Sequence, residues 1–273
     1  RGQKEASSEL LSSLCEALEV PLSAVLREVS DTVTLEEARL AGDTALVQVI
    51  PRAGQTAEVD VTLNPALDKS TETDKLLPEK KLRCSELILE AGGGGINVSK
   101  AIKKLGGESL AVFPCGGRNG EILEQTLRDM QINYKSVPVK GNTRENMVVR
   151  ETSSNSQYRF VMPGADLTTA EGDACIRVLK ACKPTPTIIV ASGSLPPGIE
   201  EDFYARLAST AHEMGARYIV DTSGHPLQLA AEKGVYLLKP NLHELSNLVG
   251  QESLDIMDVD DAAMEVIRKG QCE

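Results

Sequence analysis

Ala91-Gly92-Gly93-Gly94-Gly95-Ile96-Asn97-Val98-Ser99-Lys100 sets four consecutive glycines directly before a run with helical spacing. Four successive positions without Cβ atoms can adopt positive φ and let another group approach their amides, which neither a helix nor a strand interior requires. The stretch therefore reads as a loop made for contact, with a flexible turn between two elements as the alternative. Beyond it Val98, Ala101, Ile102 and Leu105 share one helical face, Lys100, Lys103 and Lys104 lie on the other, and Gly106-Gly107 marks the stop. Asn97 stands at the predicted helix entry, where its amide suits capping the first turn or hydrogen-bonding a polyhydroxylated ligand laid over the glycines. A dinucleotide fingerprint fits poorly, because the third glycine of G-x-G-x-x-G is missing and no buried apolar strand precedes the loop.

Working outward, Ala57–Leu63 alternates as a strand and is broken by Asn64-Pro65, and 68–89 is polar and extended before the strand-like Glu86–Leu89. After the glycine helix the pattern predicts a strand over 109–113, a helix over 120–130 and a strand over 134–139. Two short strands, 146–151 and 158–162, read as a hairpin joined through 152–156. From 169 the alternation is regular: helix 169–181 behind the capping box Thr168-x-x-Glu171, strand 187–191, helix 200–214, strand 217–221, helix 225–233, strand 235–239, helix 242–249 and helix 260–269. Strands alternating with helices imply a parallel sheet covered on both faces. The polar strands have too little apolar patterning for that sheet and are grouped as a small lid. Residues 1–55 differ: Leu10, Leu11, Leu14 and Leu18, then Leu22, Val25, Leu26 and Val29, fit two amphipathic helices separated by Pro21. The expected organisation is a helical N-terminal extension over 1–55 and one α/β domain over 56–273, with lid segments near 68–91 and 143–162.

The 273 residues, 41% of them hydrophobic, suffice for a large core. Lys plus Arg number 29 against 40 Asp plus Glu, a formal charge of −11, which argues against a nucleic-acid partner and makes any phosphate site a local basic cluster. No run reaches the ~18 apolar residues of a membrane span. Acidic residues such as Glu5, Glu9, Glu16 and Glu19 are unlike an organelle transit peptide. The six cysteines show no C-x-x-C spacing and the three histidines no i,i+4 pair, so neither a zinc site nor a disulfide framework is suggested and a cytoplasmic location is expected.

Ligands of open parallel sheets lie beyond the carboxyl ends of the strands. There the chain delivers Asn64-Pro65-Ala66-Leu67-Asp68, Ser192-Gly193-Ser194, Asp221-Thr222-Ser223-Gly224 and Lys239-Pro240-Asn241-Leu242-His243-Glu244. An ionised Asp68 offers acceptors to sugar hydroxyls, and also suits a solvated turn. Lys81 and Arg83, alternating on one lid strand, can converge with Arg144 on a phosphate, although singly each also reads as a surface cation. Asn241 and Glu244, three apart at a helix start, can face a water-shelled Mg²⁺, and Glu244 equally suits a first-turn acid on the helix dipole.

These residues carry a resemblance. Thr62–Asp68, Lys81-Leu82-Arg83-Cys84, Gly92–Asn97, Tyr158–Gly164, Ser192–Gly198 and Lys239-Pro240-Asn241-x-x-Glu244 make 57–270 similar to the ribokinase-like (PfkB) family of sugar and sugar-phosphate kinases, nearest its minor bacterial-type 6-phosphofructokinase branch. The resemblance implies a doubly wound parallel sheet with a small β lid that pairs two subunits as a homodimer. It also implies ATP-dependent phosphorylation of fructose 6-phosphate to fructose 1,6-bisphosphate, with Mg²⁺ as cofactor and no nucleic-acid or membrane partner. By the same resemblance, Asp68, Gly92, Gly93, Gly94, Gly95, Asn97 and Ser194 hold the sugar, and Lys81 and Arg144 its phosphate. Lys239 and Asn241 serve the nucleotide, and Asn241 and Glu244 the metal. Kinases of fructose 1-phosphate and tagatose 6-phosphate, the alternative substrates, tend to carry Lys at the position of Gly94, which favours fructose 6-phosphate. The family's Gly-Ala-Gly-Asp, which supplies an anion hole and the proton-accepting Asp, is absent from the sequence, so no catalytic base is assigned. The expectation is a C-terminally incomplete fold, inactive by itself, with a sugar-phosphate-binding remnant as the alternative to an enzyme.

Overall fold

The computed structural model describes residues 57–273 and, among the first 56, four short strands: β1 (Val33–Thr34), β2 (Ala38–Ala41), β3 (Thr44–Val47) and β4 (Ile50–Pro51). β2 pairs antiparallel with β3, and β1 with β4. The helices expected between Leu10 and Val29 lie outside the described residues, and the later part of the extension carries strands where helix was expected. The sequence signal for that difference is Gly42-Asp43, a pair favoured in two-residue hairpin loops. The chain divides into two units, Arg1–Thr56 with Lys100–Glu108, and Ala57–Ser99 with Ser109–Glu273. All predicted site residues belong to the second.

In chain order the rest runs β5 (Glu58–Val61), β6 (Ala66–Thr73), β7 (Ile88–Gly92), α1 (Gly94–Lys104), β8 (Leu110–Cys115), α2 (Gly117–Asp129), β9 (Asn133–Pro138), β10 (Arg144–Glu151) and β11 (Ser156–Val161). It continues with α3 (Thr169–Lys180), β12 (Ile188–Ser192), α4 (Phe203–Met214), β13 (Arg217–Asp221), α5 (Gly224–Glu232), β14 (Leu237–Leu238), α6 (Leu242–Leu248) and α7 (Val259–Arg268). A six-stranded sheet of order β14-β13-β12-β5-β8-β9 is parallel throughout, as the alternation of strand and helix requires. The edge strand β14 is shorter than the expected 235–239, and Val235 instead forms an isolated parallel bridge with Cys272. The capping box predicted for α3 is present, with Thr168 and Glu171 each bonding the other's backbone N–H.

Both faces of the sheet are buried. Val59, Val61 and Leu63 join Val112, Ile189 and Val220 in a core with Leu179 of α3, Leu207 of α4 and Leu227 of α5. On the opposite face Ala111 and Phe113 pack with Ile96 of α1 and with Leu123 and Leu127 of α2. The polar face of β5 is therefore covered as well: Asp60 is 0% and Thr62 1% exposed. The Ser99 and Ser109 hydroxyls both donate to Asp60 Oδ2, each at 2.5 Å, while its Oδ1 has no partner. Burial pushes the Asp60 carboxyl up to about 7 against the pull of those two hydrogen bonds. Glu58 also rises to about 7, through burial first and the Asp60 charge second.

The lid is a four-stranded sheet of order β11-β10-β6-β7, with β6 and β10 parallel and the other two pairs antiparallel. The expected hairpin is β10–β11, with Arg150 opposite Gln157. All of β11 is exposed, and Tyr158, Phe160 and Val161, like Ile88 of β7, present apolar side chains to the outside. No helix among the described residues is long and apolar enough to cross a membrane.

Candidate active site

The four glycines span three structures. Gly92 ends β7, Gly93 forms the turn, and Gly94 and Gly95 open α1. Their missing Cβ atoms make room for protein as well as for any ligand. A Cβ on Gly92 would lie 2.1 Å from Asp68 Oδ2, and one on Gly94 would lie 2.2 Å from Ser192 Oγ and 2.5 Å from the Ser192 carbonyl carbon. The turn is thus pressed between β6 and the end of β12, with Thr62 of the β5–β6 connection beneath Gly93 and Gly95.

Because α1 begins at Gly94, Asn97 falls inside the first turn, with its N–H bonded to the Gly93 carbonyl at 2.8 Å. A capping residue must precede the helix in extended conformation, so the capping expected of Asn97 is done by Thr62, whose hydroxyl accepts from the Ile96 N–H at 2.9 Å. Asn97 itself is exposed. The buried face of α1 also differs from the expected one: Gly95, Ile96 and Ser99 are buried, whereas Val98, Ala101, Ile102 and Leu105 are half-buried. Close backbone approach at Gly95, and the hydrogen bond from Ser99 to Asp60, outweigh the apolar periodicity.

Asp68 sits on β6 opposite Asn146 of β10, and the Asn146 side-chain N–H donates to Asp68 Oδ1 at 2.8 Å. Oδ2 is left facing the glycine turn. Asn64 links two further parts: its Nδ2 donates to Ser194 Oγ at 3.2 Å, and its carbonyl accepts from Arg144 Nη2 at 3.1 Å. Arg144 also donates from Nη1 to the Met162 carbonyl at 3.1 Å, tying the end of β11 to the β5–β6 turn. Its Nε–H is buried without a partner, beside a small open pocket bordered by Asn64, Thr143 and Pro196. Desolvation lowers the Arg144 pKa and the Asp68 charge counters it. Asp68, the glycine turn, Ser194 and Arg144 therefore form one connected cluster.

Lys81 and Arg83 are placed otherwise than expected. Both lie in the exposed, irregular connection 74–87 and not on a strand, because that segment meets β6 only through scattered bonds such as Thr73 Oγ1 to the Arg83 carbonyl at 3.2 Å and Ser85 N to the Glu72 carbonyl at 2.9 Å. Among the described residues neither side chain forms an ion pair, and none of their hydrogen bonds reaches Asp68, Arg144 or the glycine turn.

At the ends of β13 and β14, Lys239 Nζ stands 3.2 Å from Asp221 Oδ1, and Ser192 Oγ donates to Asp221 Oδ2 at 2.9 Å. Asn241 caps α6: its Oδ1 accepts from the Glu244 N–H at 2.9 Å, while Glu244 Oε2 accepts from the Asn241 N–H at 2.8 Å. The first-turn reading of Glu244 is the geometry present. Its Oε1 takes no part in the capping box and is a hard oxygen donor of the kind a water-shelled Mg²⁺ takes one or two at a time, so the donor set fits that ion. Among the described residues no cluster of three His, Cys, Asp or Glu side chains is arranged for a metal.

Sequence reasoning gave no role to Asn146, Thr62, Ser192 or Asp221. Thr62 and Ser192 stood in motifs already singled out at strand ends. Asn146 carried no signal, since only strand register sets it beside Asp68.

The profile of the pfkB family of carbohydrate kinases matches residues 60–273. The chain is 40% identical over 220 residues to an ATP-dependent 6-phosphofructokinase isozyme 2 of Mycobacterium tuberculosis, covering 81% of this chain and 65% of that protein. To the protein of the same name in Escherichia coli it is 43% identical over 214 residues, covering 78% of this chain and 69% of the relative. The crystal structure of E. coli phosphofructokinase-2 in complex with fructose-6-phosphate superposes with a TM-score of 0.75 at 42% identity, covering 80% of this chain and 71% of that one.

Proposed function

Because the chain belongs to the pfkB family of carbohydrate kinases, we propose that it binds fructose 6-phosphate and that its residues serve ATP-dependent phosphorylation of that sugar to fructose 1,6-bisphosphate. The observation that carries this reading is the connected cluster of Asp68, the glycine turn, Ser194 and Arg144. A carboxylate with one oxygen pinned by Asn146 and the other beside a Cβ-free turn is oriented to accept from sugar hydroxyls. The desolvated guanidinium, with its Nε–H unpaired, supplies a charged donor for the phosphate of the sugar. Lys81 and Arg83 reach that phosphate only if the 74–87 connection closes over it. Gly94, where kinases of fructose 1-phosphate and tagatose 6-phosphate tend to carry Lys, favours fructose 6-phosphate, and a side chain there would need the Ser192 backbone to move.

Lys239 and Asn241 would face the nucleotide phosphates, and Glu244 Oε1 a Mg²⁺ ion. The ion, when bound, bridges and neutralises phosphate oxygens. The sequence holds no Gly-Ala-Gly-Asp, so the polypeptide 1–273 by itself is expected to bind the sugar phosphate without turnover. The exposed Tyr158, Phe160, Val161 and Ile88 support a homodimer formed through the lid. A cytoplasmic location is part of the same proposal.

Fructose 6-phosphate is expected to raise the thermal midpoint of residues 1–273 and to release heat in calorimetry, because a ligand of the native state alone stabilises it. Fructose 1-phosphate should do so more weakly, ATP should not be consumed, and light scattering should give twice the chain mass. A midpoint unmoved by either sugar phosphate defeats the reading.

A further inference from the structure

Tyr204, on α4, is fully buried, and its hydroxyl donates to the Gly193 carbonyl at 2.8 Å. The bond reaches out of the core into the turn that carries Ser194. Gly193 has φ +119°, and its N–H is held by the Asp221 carbonyl at 2.9 Å, so the turn is fixed on both sides of this residue. A trans peptide is planar, with the C=O of one residue and the N–H of the next pointing opposite ways. Drawing the Gly193 carbonyl inward to Tyr204 therefore turns the Ser194 N–H outward. Ser194 is exposed, and its N–H has no acceptor among the described residues. Its Oγ already accepts from Asn64 Nδ2, which leaves the hydroxyl proton free to donate. Two donors on one residue are thus left unpaired, next to the glycine turn, where Gly94 N lies 3.6 Å from where a Gly193 Cβ would stand.

We propose that Tyr204 is a positioning residue, which by holding the Gly193 carbonyl aims the amide and hydroxyl of Ser194 at oxygen atoms of the sugar phosphate. This rests on the sugar-phosphate reading given above. Burial, with the Asp221 charge second, raises the phenol pKa well above its ordinary value, so the hydroxyl remains a donor across the working pH range. Tyr218 provides an internal control. It too is buried, and its hydroxyl donates at 3.3 Å to the backbone carbonyl of Tyr204 and not to a residue of the turn.

The test compares Tyr204→Phe, Tyr218→Phe and the unaltered chain by hydrogen exchange over 192–199 and by calorimetric titration with fructose 6-phosphate. Each variant loses one buried hydrogen bond, so a purely structural role predicts similar small falls in thermal midpoint and no difference in binding. The proposal predicts faster exchange at Gly193 and an affinity about fivefold weaker in Tyr204→Phe alone. Unchanged exchange in 192–199, or equal affinity in the two variants, overturns it. If the unaltered chain gives no heat with the sugar phosphate while Tyr204→Phe loosens the turn, the sugar reading fails and the aim at a sugar falls with it, but Tyr204 stands as the support of the turn.

Discussion

The glycine turn is fixed from three sides, by Asp68 on β6, Thr62 after β5 and Ser192 on β12, whereas at the β14 end the exposed Lys239 and the half-buried Glu244 are held by one ion pair and one capping box. The turn joins lid strand β7 to α1 and is packed against residues of β6, β12 and the β5–β6 connection, so its geometry is determined by contacts distant in sequence. At the β14 end the contacts are mostly local, and the strand beneath has two residues. A ligand meeting the first end finds donors and acceptors already oriented. One meeting the second must organise them, at an entropic cost. Substitutions at the turn should therefore disturb fold and binding together, while substitutions at the β14 end should disturb only the local helix.

The largest effect expected is at Asp60 of β5, where Ser99 of α1, the helix that the turn opens, donates to a buried carboxylate. Its folded-state pKa is raised to about 7, so protonation favours the native state. That contribution is complete below about pH 4 and is lost at about 1.4 kcal/mol per unit as pH rises toward 7, beyond which it is level. Asp60→Asn has no such titration and should gain on the unaltered chain by about 4 kcal/mol across that window, read as urea midpoints from pH 4 to 8. Parallel curves would show that this end stores no buried-charge cost.

Next is Gly94→Ala, whose Cβ would stand 2.5 Å from a backbone atom of Ser192. Overpacking against backbone should cost about 2–3 kcal/mol and weaken fructose 6-phosphate binding in the same protein, measured by thermal denaturation and calorimetry. Stability lost without any change in affinity would separate the turn from the sugar site. The smallest effect is Asn241→Ala, which removes the α6 cap for about 1 kcal/mol and should leave sugar-phosphate affinity within about twofold. If it weakened that affinity as much as Gly94→Ala, the contrast between the two ends would collapse.

Much of this was legible in the residues. Alternating strand and helix patterns, the Thr168 capping box and the lid hairpin follow from local periodicity and turn chemistry, which the chain carries wherever it folds. The motifs at strand ends likewise marked Asp68, the glycines, Ser194, Lys239, Asn241 and Glu244, because parallel strands deliver their carboxyl ends to one edge. Tertiary structure alone decided what those residues touch. The alternation in β5 would suit a strand with one face in water, yet Asp60 and Thr62 are buried, because α1 covers the second face and sequence spacing does not register what covers a face. Asn97 lost the capping role to Thr62, more than 30 residues earlier, and Asp68 gained an orienting partner in Asn146 through strand register. Lys81 and Arg83 kept their motif but left the strand. Sequence thus determined the elements and the residues at their ends, since those depend on near neighbours. Pairings across the fold, which set orientation, burial and pKa, arise only when distant segments meet.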